Sequence, residues 1–534
     1  MTKTLFIMLF SSVTATAQWL TNGTPVCDTS ANSGYYMLPQ IASDGEGGAF
    51  VCWRDARNGD YDIYAQHIGA DGRMLWLKNG IPIVVASYNQ QFPRMISDGS
   101  GGAFIAWEDD RSLSDTFIYA QRIDGTGHNQ WTAGGVKVAE KPGLYVSLAA
   151  DGRGGVLLGW NGPNINNILV QRLDSLGTRV WSDSGVQVSA RVGDVSANDI
   201  GIVGDDGGGA IIAWSQANQV FAQRVDSLGS PQWALDGNIL SDTANNFDVS
   251  VTADFHGGAV VSWTNRDTLK FTQRVSYSGQ PCWGQSGIIL GVVAGGGARR
   301  HTADSHGGAF IGHSRYIQHI DTTGAQLWPG QGTAFTAAPT LYFNSTQARN
   351  GTRGIWNFWS FDTSTTTSID IFGQYIDNSG VAHWGALGIP ICIAPNMQDW
   401  ARATSDDEGH AIIAWDDFRN GHSNVYCARV DTGGVVTAVE SNRGLLPEGF
   451  RLDQNFPNPF NPETTISFSL PTRSRVKLSV YNILGQELTV LMDGMQEAGH
   501  HNIKFNADHF SSGVYFYRLI TEVCSETRTM LVLR

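Results

Sequence analysis

The chain has 534 residues, a formal net charge of −14 and a charged fraction of only 16%, and it contains 63 glycines and 17 tryptophans. A chain of this length exceeds a single ordinary hydrophobic core, so several domains or a repeat array are expected. The acidic balance, with no basic run, argues against nucleic acid or an anionic membrane surface as the main partner.

The first 17 residues have the features of a secretory signal peptide. Lys3 is followed by the apolar run Leu5–Phe10, and Ala15-Thr16-Ala17 forms a small-x-small cleavage site before Gln18. No later stretch approaches the length of a transmembrane helix. We therefore expect an exported, monomeric protein that is soluble or is held at a surface by something other than a helix.

Residues 18–436 repeat one pattern eight times, at a spacing of roughly 50 residues. Each copy begins with an Asp-x-x-Gly-Gly-Ala-type turn, such as Asp44–Ala49, and continues with an apolar run that ends in Trp, such as Phe50–Trp53. Four-stranded propeller blades repeat at this spacing, and frequent glycines suit their tight turns. The sequence predicts an all-β fold with an eight-bladed β-propeller. Seven blades are the alternative, because the copy around Gly354 is degraded.

The two ends of the repeat array complement each other. The eighth copy, Thr404 to Asp431, lacks the closing Trp-x-x-x-Gly segment, and Trp19–Val26 supplies a segment that aligns with Trp76–Ile83 of the first copy. A strand from the start of the chain would complete the last blade and remove exposed sheet edges. We predict a ring that is closed by the N-terminal strand.

A second tryptophan recurs in the pattern Asp-x-x-Gly-x-x-x-Trp, as in Asp124/Gly127/Trp131 and Asp174/Gly177/Trp181. The pattern resembles the tryptophan-docking motif of the eight-bladed quinoprotein propellers, with one residue fewer between Asp and Gly. That resemblance implies tryptophans packed between blades. It extends no further, since the chain has no adjacent Cys-Cys pair and none of that family's quinone-binding or calcium-binding residues.

The repeat stops after Val436, and residues 437–451 have the composition of a linker. Residues 452–534 alternate short strands with glycine turns, which predicts a small Ig-like β-sandwich. The motif positions of this module are Asn455, Pro457, Asn458, Pro459, Phe460, Asn461, Pro462, Gly485, Gly513 and Tyr515.

These motifs closely resemble the type A C-terminal sorting domain of the type IX secretion system of Bacteroidetes-like bacteria. The resemblance implies that the domain is an address read by the type IX machinery, and that the protein is secreted or reaches the outer cell surface. In that family the domain is commonly removed, and the protein is fixed to surface lipopolysaccharide or released. The alternative is an ordinary Ig-like accessory domain.

One polar pattern is unevenly distributed among the repeats. Trp-x-Asp-x-Arg occurs only in copies one, two and eight, which become neighbours when the ring closes. The candidate binding residues are Asp55, Arg57, Asp109, Arg111, Asp417 and Arg419. Carboxylate and guanidinium groups could bind a sugar or a peptide there. The alternative is that each Asp–Arg pair only stiffens a loop.

The sequence contains no recognisable catalytic motif and no zinc-binding spacing. Asp60 and Asp62, next to Asn58-Gly59, could form a calcium loop, although their spacing is not that of an EF-hand. No other metal or cofactor is expected. The oxidising destination allows a disulfide; Cys27–Cys427 is the best pairing, and Cys392 is the rival partner.

Two classes of function compete, because propellers support both. The first is a non-enzymatic binding or adhesion scaffold for a glycan or protein ligand. The second is a secreted polysaccharide-active hydrolase or lyase. Near-uniform repetition, without the singular residues that a catalytic site introduces, favours the binding scaffold.

Overall fold

The computed structural model describes residues 19–29, 36–163, 167–191, 195–241, 246–265, 268–293, 301–338, 345–362, 369–406, 408–434, 451–452, 455, 458, 460–470, 474–483, 485–496, 499–521 and 525–532. The predicted signal peptide, Pro457, Pro459 and Cys524 lie outside these ranges. The chain divides into two units, Met1–Val439 and Glu440–Arg534, which are described separately.

The described part of the first unit is built from short β-strands. In chain order they are β1 (Thr24–Cys27), β2 (Gln40–Ser43), β3 (Ala49–Asp55), β4 (Asp62–Ile68), β5 (Ile81–Val84), β6 (Gln90–Ser97), β7 (Ala103–Asp109), β8 (Phe117–Ile123), β9 (Val136–Lys137), β10 (Leu144–Ala150), β11 (Val156–Asn161), β12 (Ile168–Leu173), β13 (Val186–Ser189), β14 (Val195–Gly204), β15 (Ala210–Gln216), β16 (Gln219–Val225), β17 (Asn238–Ile239), β18 (Asn246–Ala253), β19 (Ala259–Asn265), β20 (Leu269–Val275), β21 (Ile288–Val292), β22 (His301–Ala303), β23 (Ala309–His313), β24 (Tyr316–Ile320), β25 (Thr333–Ala334), β26 (Thr346–Arg349), β27 (Gly354–Asp362), β28 (Ile369–Asp377), β29 (Ile389–Cys392), β30 (Gln398–Ser405), β31 (His410–Asp417) and β32 (Asn424–Asp431).

Within the described ranges these strands form eight four-stranded antiparallel sheets. Seven sheets are consecutive, from β2-β3-β4-β5 to β26-β27-β28-β29, and the eighth has the order β1-β32-β31-β30. The innermost strands β2, β6, β10, β14, β18, β22, β26 and β30 each contact the next, and β30 contacts β2. This ring confirms the propeller prediction. The sheets are called blades 1 to 8 below, in the order of their innermost strands.

The N-terminal strand closes the ring as predicted. β1 pairs antiparallel with β32, with Thr24 opposite Cys427 and Pro25 opposite Tyr426. The first strand of the chain is therefore the outermost strand of the last blade. This pairing covers the edge that β32 would otherwise expose.

Large apolar side chains fill the space between blades. The second strand of each blade is buried on both faces, as expected of a sheet held between two neighbours. In seven blades it carries a tryptophan at the same position that is at most 2% exposed: Trp53, Trp107, Trp160, Trp214, Trp263, Trp359 and Trp415. These inner tryptophans pack each blade against its neighbours.

A second set of tryptophans joins neighbouring blades by hydrogen bonds. Each indole Nε1 donates to a backbone carbonyl in the turn after the third strand of the next blade: Trp19 to Ala70, Trp76 to Gly125, Trp131 to Ser175, Trp181 to Ser227, Trp233 to Tyr277, Trp283 to Thr322, Trp328 to Asn378 and Trp384 to Thr432. The indole ring of Trp131 packs against a glycine and leaves no room for a side chain there: a Cβ on Gly177, where φ is +81°, would lie 2.8 Å from Trp131. The prediction that these tryptophans pack between blades is confirmed.

The Asp-x-x-Gly-Gly turns use aspartate for local structure. In blade 2, Asp98 Oδ1 accepts the backbone N–H groups of Ser100 (2.7 Å) and Gly102 (2.8 Å), and Oδ2 accepts Arg122 of the third strand at 2.8 Å. In blade 1, Asp44 bonds His67 in the same way at 2.9 Å. This carboxylate holds both the turn and the third strand. Its recurrence in the sequence therefore has a structural cause.

The second unit is a β-sandwich. Its strands are β33 (Arg451–Leu452), β34 (Glu463–Leu470), β35 (Ser474–Tyr481), β36 (Glu487–Gln496), β37 (Gly499–Asn506), β38 (Gly513–Ile520) and β39 (Ser525–Val532). They form the sheets β33-β34-β37 and β36-β35-β38-β39. Phe468 of one sheet shares a buried core with Leu478 and Tyr517 of the other, which agrees with the predicted sandwich. Within the described ranges, no helix is long and apolar enough to cross a membrane.

The predicted Cys27–Cys427 disulfide is wrong for this structure. Both thiols are buried and free, as is that of the rival partner Cys392. A register shift between Pro25 and Cys27 places Cys27 opposite Val425, whereas Cys427 lies opposite Thr24. The two cysteines therefore occupy adjacent strands without facing each other.

Candidate functional site

The three Asp–Arg pairs of blades 1, 2 and 8 share one construction. In blade 8, the fully buried Asp417 accepts the indole N–H of Trp415 at 2.9 Å. It also accepts the backbone N–H of Arg419 at 3.0 Å, its Nε at 2.8 Å and its Nη2 at 2.6 Å. Asp55 and Asp109 have the corresponding tryptophan and arginine partners. Each pair closes the loop between the second and third strands of its blade.

The arginines also contact the third strand of their own blade and the segment that precedes its outermost strand. Each guanidinium lies over a tyrosine ring, at 3.9 Å for Arg57 on Tyr64, 4.1 Å for Arg111 on Tyr119 and 3.9 Å for Arg419 on Tyr426. Each also donates to a carbonyl just before the fourth strand: Asn79, Gly134 and Asn22, at 2.8, 3.0 and 2.6 Å. In blade 8, Arg419 therefore fastens the N-terminal segment that closes the ring.

Electrostatics support an ionised pair in blade 1. Burial acts to raise the pKa of Asp55, but hydrogen bonds from Arg57 and Trp53 outweigh it and hold the pKa below its usual value. The carboxylates are fully buried, while the side chains of Arg57, Arg111 and Arg419 are 19%, 27% and 18% exposed. Only guanidinium edges could touch a ligand. These contacts favour the loop-stiffening alternative, and ligand binding by the six residues stays a prediction.

The innermost strands carry unusual backbone near the same end of the blades. In five blades one non-glycine residue at the same repeat position has positive φ, between 51° and 62°: Leu38, Phe92, Tyr145, Asp248 and Trp400. In four of these blades the register of the first two strands shifts around this residue. Residues other than glycine rarely adopt such φ values, and backbone strain of this kind clusters at functional sites.

Two buried carboxylates bind the backbone at these positive-φ residues. Asp416 of blade 8 accepts the backbone N–H groups of Met37 (2.7 Å) and Leu38 (3.0 Å) in blade 1, and Glu108 of blade 2 accepts that of Tyr145 (2.8 Å) in blade 3. Burial raises the pKa of each carboxyl to about 7. Both occupy the position after the inner tryptophan. They therefore fasten one blade to the next.

An aromatic patch lies where blades 8, 1 and 2 meet; it consists of Tyr36, Tyr61, Phe92, Trp400 and Phe418. The Tyr36 ring lies edge-on to Trp400 (5.8 Å between centroids) and to Phe418 (5.4 Å). Phe92 is 37% exposed and the other rings are half-buried.

Arg54 connects the two halves of this patch. Its guanidinium lies 4.6 Å from the Tyr61 ring centre and 5.3 Å from that of Phe92, and its Nε donates to the Tyr36 carbonyl at 2.9 Å. Sequence reasoning missed the patch. The available signal was the aromatic residue that recurs where the innermost strand begins, as Phe92, Tyr145 and Trp400.

The loop considered for calcium is held by protein contacts. Asp62 accepts the Asn58 amide at 2.8 Å and the Ala86 backbone N–H at 3.2 Å, and burial raises its pKa. Among the described residues, no group of three or more His, Cys, Asp or Glu side chains is placed to hold a metal ion. Calcium binding stays an untested prediction.

The described residues of the C-terminal motif fasten the start of the sandwich to its other strands. The backbone N–H of Asn455 donates to the Tyr517 hydroxyl at 2.8 Å, and the side-chain amide of Asn455 donates to the Thr464 hydroxyl at 2.9 Å. Asn458 Oδ1 accepts the Leu531 N–H at 2.8 Å. The Asn-rich motif is thus part of the structural framework of this domain.

The comparisons with known proteins identify this domain. Residues 454–533 match the family model described as "Secretion system C-terminal sorting domain". The domain therefore targets the chain to the type IX secretion machinery, and the protein is exported to the cell surface or the extracellular space. No curated protein sequence matches the chain.

Several solved structures are similar to the chain at low identity. A protein of unknown function from Dyadobacter fermentans is 9% identical, with 77% of this chain and 98% of that one covered and a TM-score of 0.39. A fungal alcohol oxidase of the AA5 family in complex with copper is 11% identical (96% and 100% covered, TM-score 0.42). An exo-β-1,3-galactanase from Phanerochaete chrysosporium is 12% identical (96% and 98% covered, TM-score 0.29). The activities of these proteins are not assigned to this chain.

Proposed function

We propose that the propeller is a non-enzymatic binding scaffold, displayed at the cell surface or released, that binds a glycan or an extended peptide on the aromatic patch. The observation that carries this proposal is the group of half-exposed rings around Arg54 at the junction of blades 8, 1 and 2. Flat aromatic faces and a planar guanidinium suit ligands that present both apolar and hydrogen-bonding surface.

Backbone conformation supports a role beyond packing. Phe92 and Trp400 hold φ values of 51° and 56°, a region where glycine would avoid strain of about 1–3 kcal/mol. The chain instead places large rings there and leaves them partly exposed. The Asp–Arg pairs of blades 8 and 1 then act as supports, because Phe418 and Tyr61 lie in the loops that these pairs close.

The second candidate function is hydrolysis of a polysaccharide. Asp416 and Glu108 favour it, because a carboxyl pKa of about 7 suits a general acid. Two observations weigh against it: Glu108 is 3% exposed and Asp416 fully buried, and both accept backbone N–H groups of the next blade. Their role in the fold accounts for their position.

The test is a glycan and matrix-peptide array probed with the purified protein and its variants. We expect Phe92→Ala and Trp400→Ala each to weaken binding at least tenfold. The matched control is Phe255→Ala, an equally strained phenylalanine (φ 54°) that is 50% exposed in a turn at the opposite end of blade 5. Binding unaffected by both patch variants would contradict the proposed surface, and hydrolysis of an arrayed glycan would overturn the non-enzymatic class.

A further inference from the structure

A groove of about 530 Å³ lies on the rim of the propeller between blades 2 and 3. Its walls include Tyr119, Thr132 and Lys137 of blade 2 and Thr178, Arg179 and Asp183 of blade 3. Binding sites for small ligands commonly have volumes of about 300–1,000 Å³. The groove has the size of a site for one or two sugar rings.

The charged residues of this groove break the repeat. The described residues include a β-bridge at the end of the third strand in seven blades, and the bridging residue is Arg179 in blade 3 and Met74, Asn129, Pro231, Pro281, Gln326 or Ala382 in the others. Lys137, opposite Tyr119, is replaced elsewhere by Pro82, Gln187, Ile239, Ile289, Ala334, Pro390 and Pro25. The blades are otherwise near-copies of one another. Residues that differ from all their counterparts therefore indicate that this part of the blade serves more than packing.

These charges form a closed network. Arg179 donates from Nε and Nη2 to the Lys137 carbonyl, at 3.1 and 2.8 Å, and its Nη1 lies 2.8 Å from Glu140 and 3.6 Å from Asp183. The Lys137 ammonium lies 3.0 Å from Glu140 and 3.7 Å from the centre of the Phe117 ring. Two cations are thus balanced by two carboxylates. A net-neutral lining gives no advantage to an anionic ligand.

The aromatic wall is rigid. The Tyr119 ring packs against Trp107, with ring centroids 6.3 Å apart, and against the Arg111 guanidinium, which also bonds the Gly134 carbonyl beside the groove. The Asp109–Arg111 pair therefore supports one wall of the groove. A fixed ring next to alternating donors and acceptors suits the apolar face and the hydroxyls of a sugar.

We infer that this rim groove is a binding site for a neutral sugar, such as a chain end or a branch of a neutral glycan. Carboxylates accept hydroxyl protons, guanidinium and ammonium groups donate to hydroxyl oxygens, and the Thr132 and Thr178 hydroxyls can do both. The inference goes beyond the proposed function, because the groove and the aromatic patch use different residues.

The test is saturation-transfer NMR of the full-length protein with neutral monosaccharides (glucose, galactose, mannose, fucose and xylose) and with galacturonic acid as the charged probe. We expect saturable binding of at least one neutral sugar and a loss of at least fivefold in affinity for Asp183→Ala. That side chain is 84% exposed, so its removal leaves the fold intact. Lys78→Ala is the matched control, at the same repeat position in blade 1 and 82% exposed, and should change nothing.

Three outcomes would overturn the inference: no neutral sugar binds, galacturonic acid binds in preference to all of them, or Asp183→Ala binds as tightly as the parent. The two proposals fail separately. Sugar binding that Phe92→Ala and Trp400→Ala remove, but Asp183→Ala leaves unchanged, would place the sugar on the aromatic patch and not in the groove.

Discussion

The indole Nε1 of Trp19 donates a hydrogen bond of 2.9 Å to the carbonyl of Ala70. The same bond joins every other pair of neighbouring blades. Here it connects the N-terminal segment, as part of blade 8, to blade 1. One recurring interface thus holds the whole ring, and one copy of it depends on the start of the chain.

Replacement of Trp19 should therefore destabilise the entire propeller. Trp19 is 5% exposed, and truncation of a buried tryptophan to alanine costs about 3–5 kcal/mol. We expect Trp19→Ala to lower the free energy of unfolding by this amount in urea titrations, and Trp19→Phe to cost about 1 kcal/mol for the lost hydrogen bond. Leu20→Ala, at a neighbouring side chain that is 52% exposed, should have little effect. Equal stability of Trp19→Ala and the parent would contradict closure by this segment.

The Asp–Arg pairs should contribute to stability through burial. Arg419→Ala leaves the fully buried carboxylate of Asp417 without its charged partner, and loss of one partner from a buried pair costs about 3–5 kcal/mol. The control is Arg73→Ala, which removes the partner of Asp71 at the same two-residue spacing on the surface, where a pair contributes about 0–1 kcal/mol. Chemical denaturation of both variants checks the difference. Similar losses would show that the blade 8 pair is no more than a surface ion pair.

Glu108 should make stability depend on pH. Burial raises its pKa from 4.5 to about 7, against the opposing effects of the Tyr145 backbone hydrogen bond and of Arg94. The folded protein therefore keeps a proton that the unfolded chain releases. This contribution is fully present below pH 4.5 and is lost as the pH rises through 7.

Thermal unfolding between pH 5 and 8 tests this dependence. Glu108→Gln can still accept the Tyr145 N–H but cannot titrate, so its melting temperature should fall less than that of the parent as the pH rises. Parallel pH profiles for the two proteins would show that Glu108 has an ordinary pKa.

The cysteines should differ sharply in reactivity. Cys282 is exposed, whereas Cys27, Cys52, Cys392 and Cys427 are buried, and burial raises the pKa of Cys27 to about 11. Thiolates react and thiols do not. A thiol reagent should modify Cys282 in the native protein and the four buried cysteines only after unfolding. A Cys27–Cys427 peptide in a non-reducing digest would contradict the structure.

Removal of the sorting domain should stop export at the outer membrane. A chain ending at Gly449 lacks the residues that match the sorting-domain family, 454–533. We expect it to accumulate in the periplasm while the full-length chain reaches the surface or the medium, as measured by fractionation and immunoblotting. Normal surface levels of the truncated chain would contradict the role of this domain.

The repeated features were predictable because each is a local pattern repeated many times. Glycine turns, tryptophan positions and the missing segment of the last copy sufficed for the propeller and for its closure by β1. The disulfide failed because adjacency of two strands does not give their register: Cys427 lies opposite Thr24, whereas Cys27 lies opposite Val425. The Asp–Arg pairs were visible in the sequence, but their burial was not, since it depends on tyrosines and carbonyls of other strands.

The aromatic patch and the rim groove were missed for a related reason. Tyr36, Phe92 and Trp400 belong to three different copies, and only the ring brings them together. Arg179 and Lys137 look like ordinary surface charges until the pairing of strands shows that, in the part of the chain that the structure describes, no equivalent position carries a cation. Both sites are formed by contacts between residues that are far apart in the sequence, and a sequence pattern does not show such contacts.

The pairing of β1 with β32 also sets an order of events for the emerging chain. A strand near the start of the chain has no partner until Asn424–Asp431 have left the ribosome and crossed the inner membrane. The ring of blades therefore cannot close until almost the entire length of the propeller has been delivered. The sorting domain comes later in the chain, after the predicted linker of residues 437–451. The secretion machinery consequently meets the sorting signal only after every strand of the ring has been delivered.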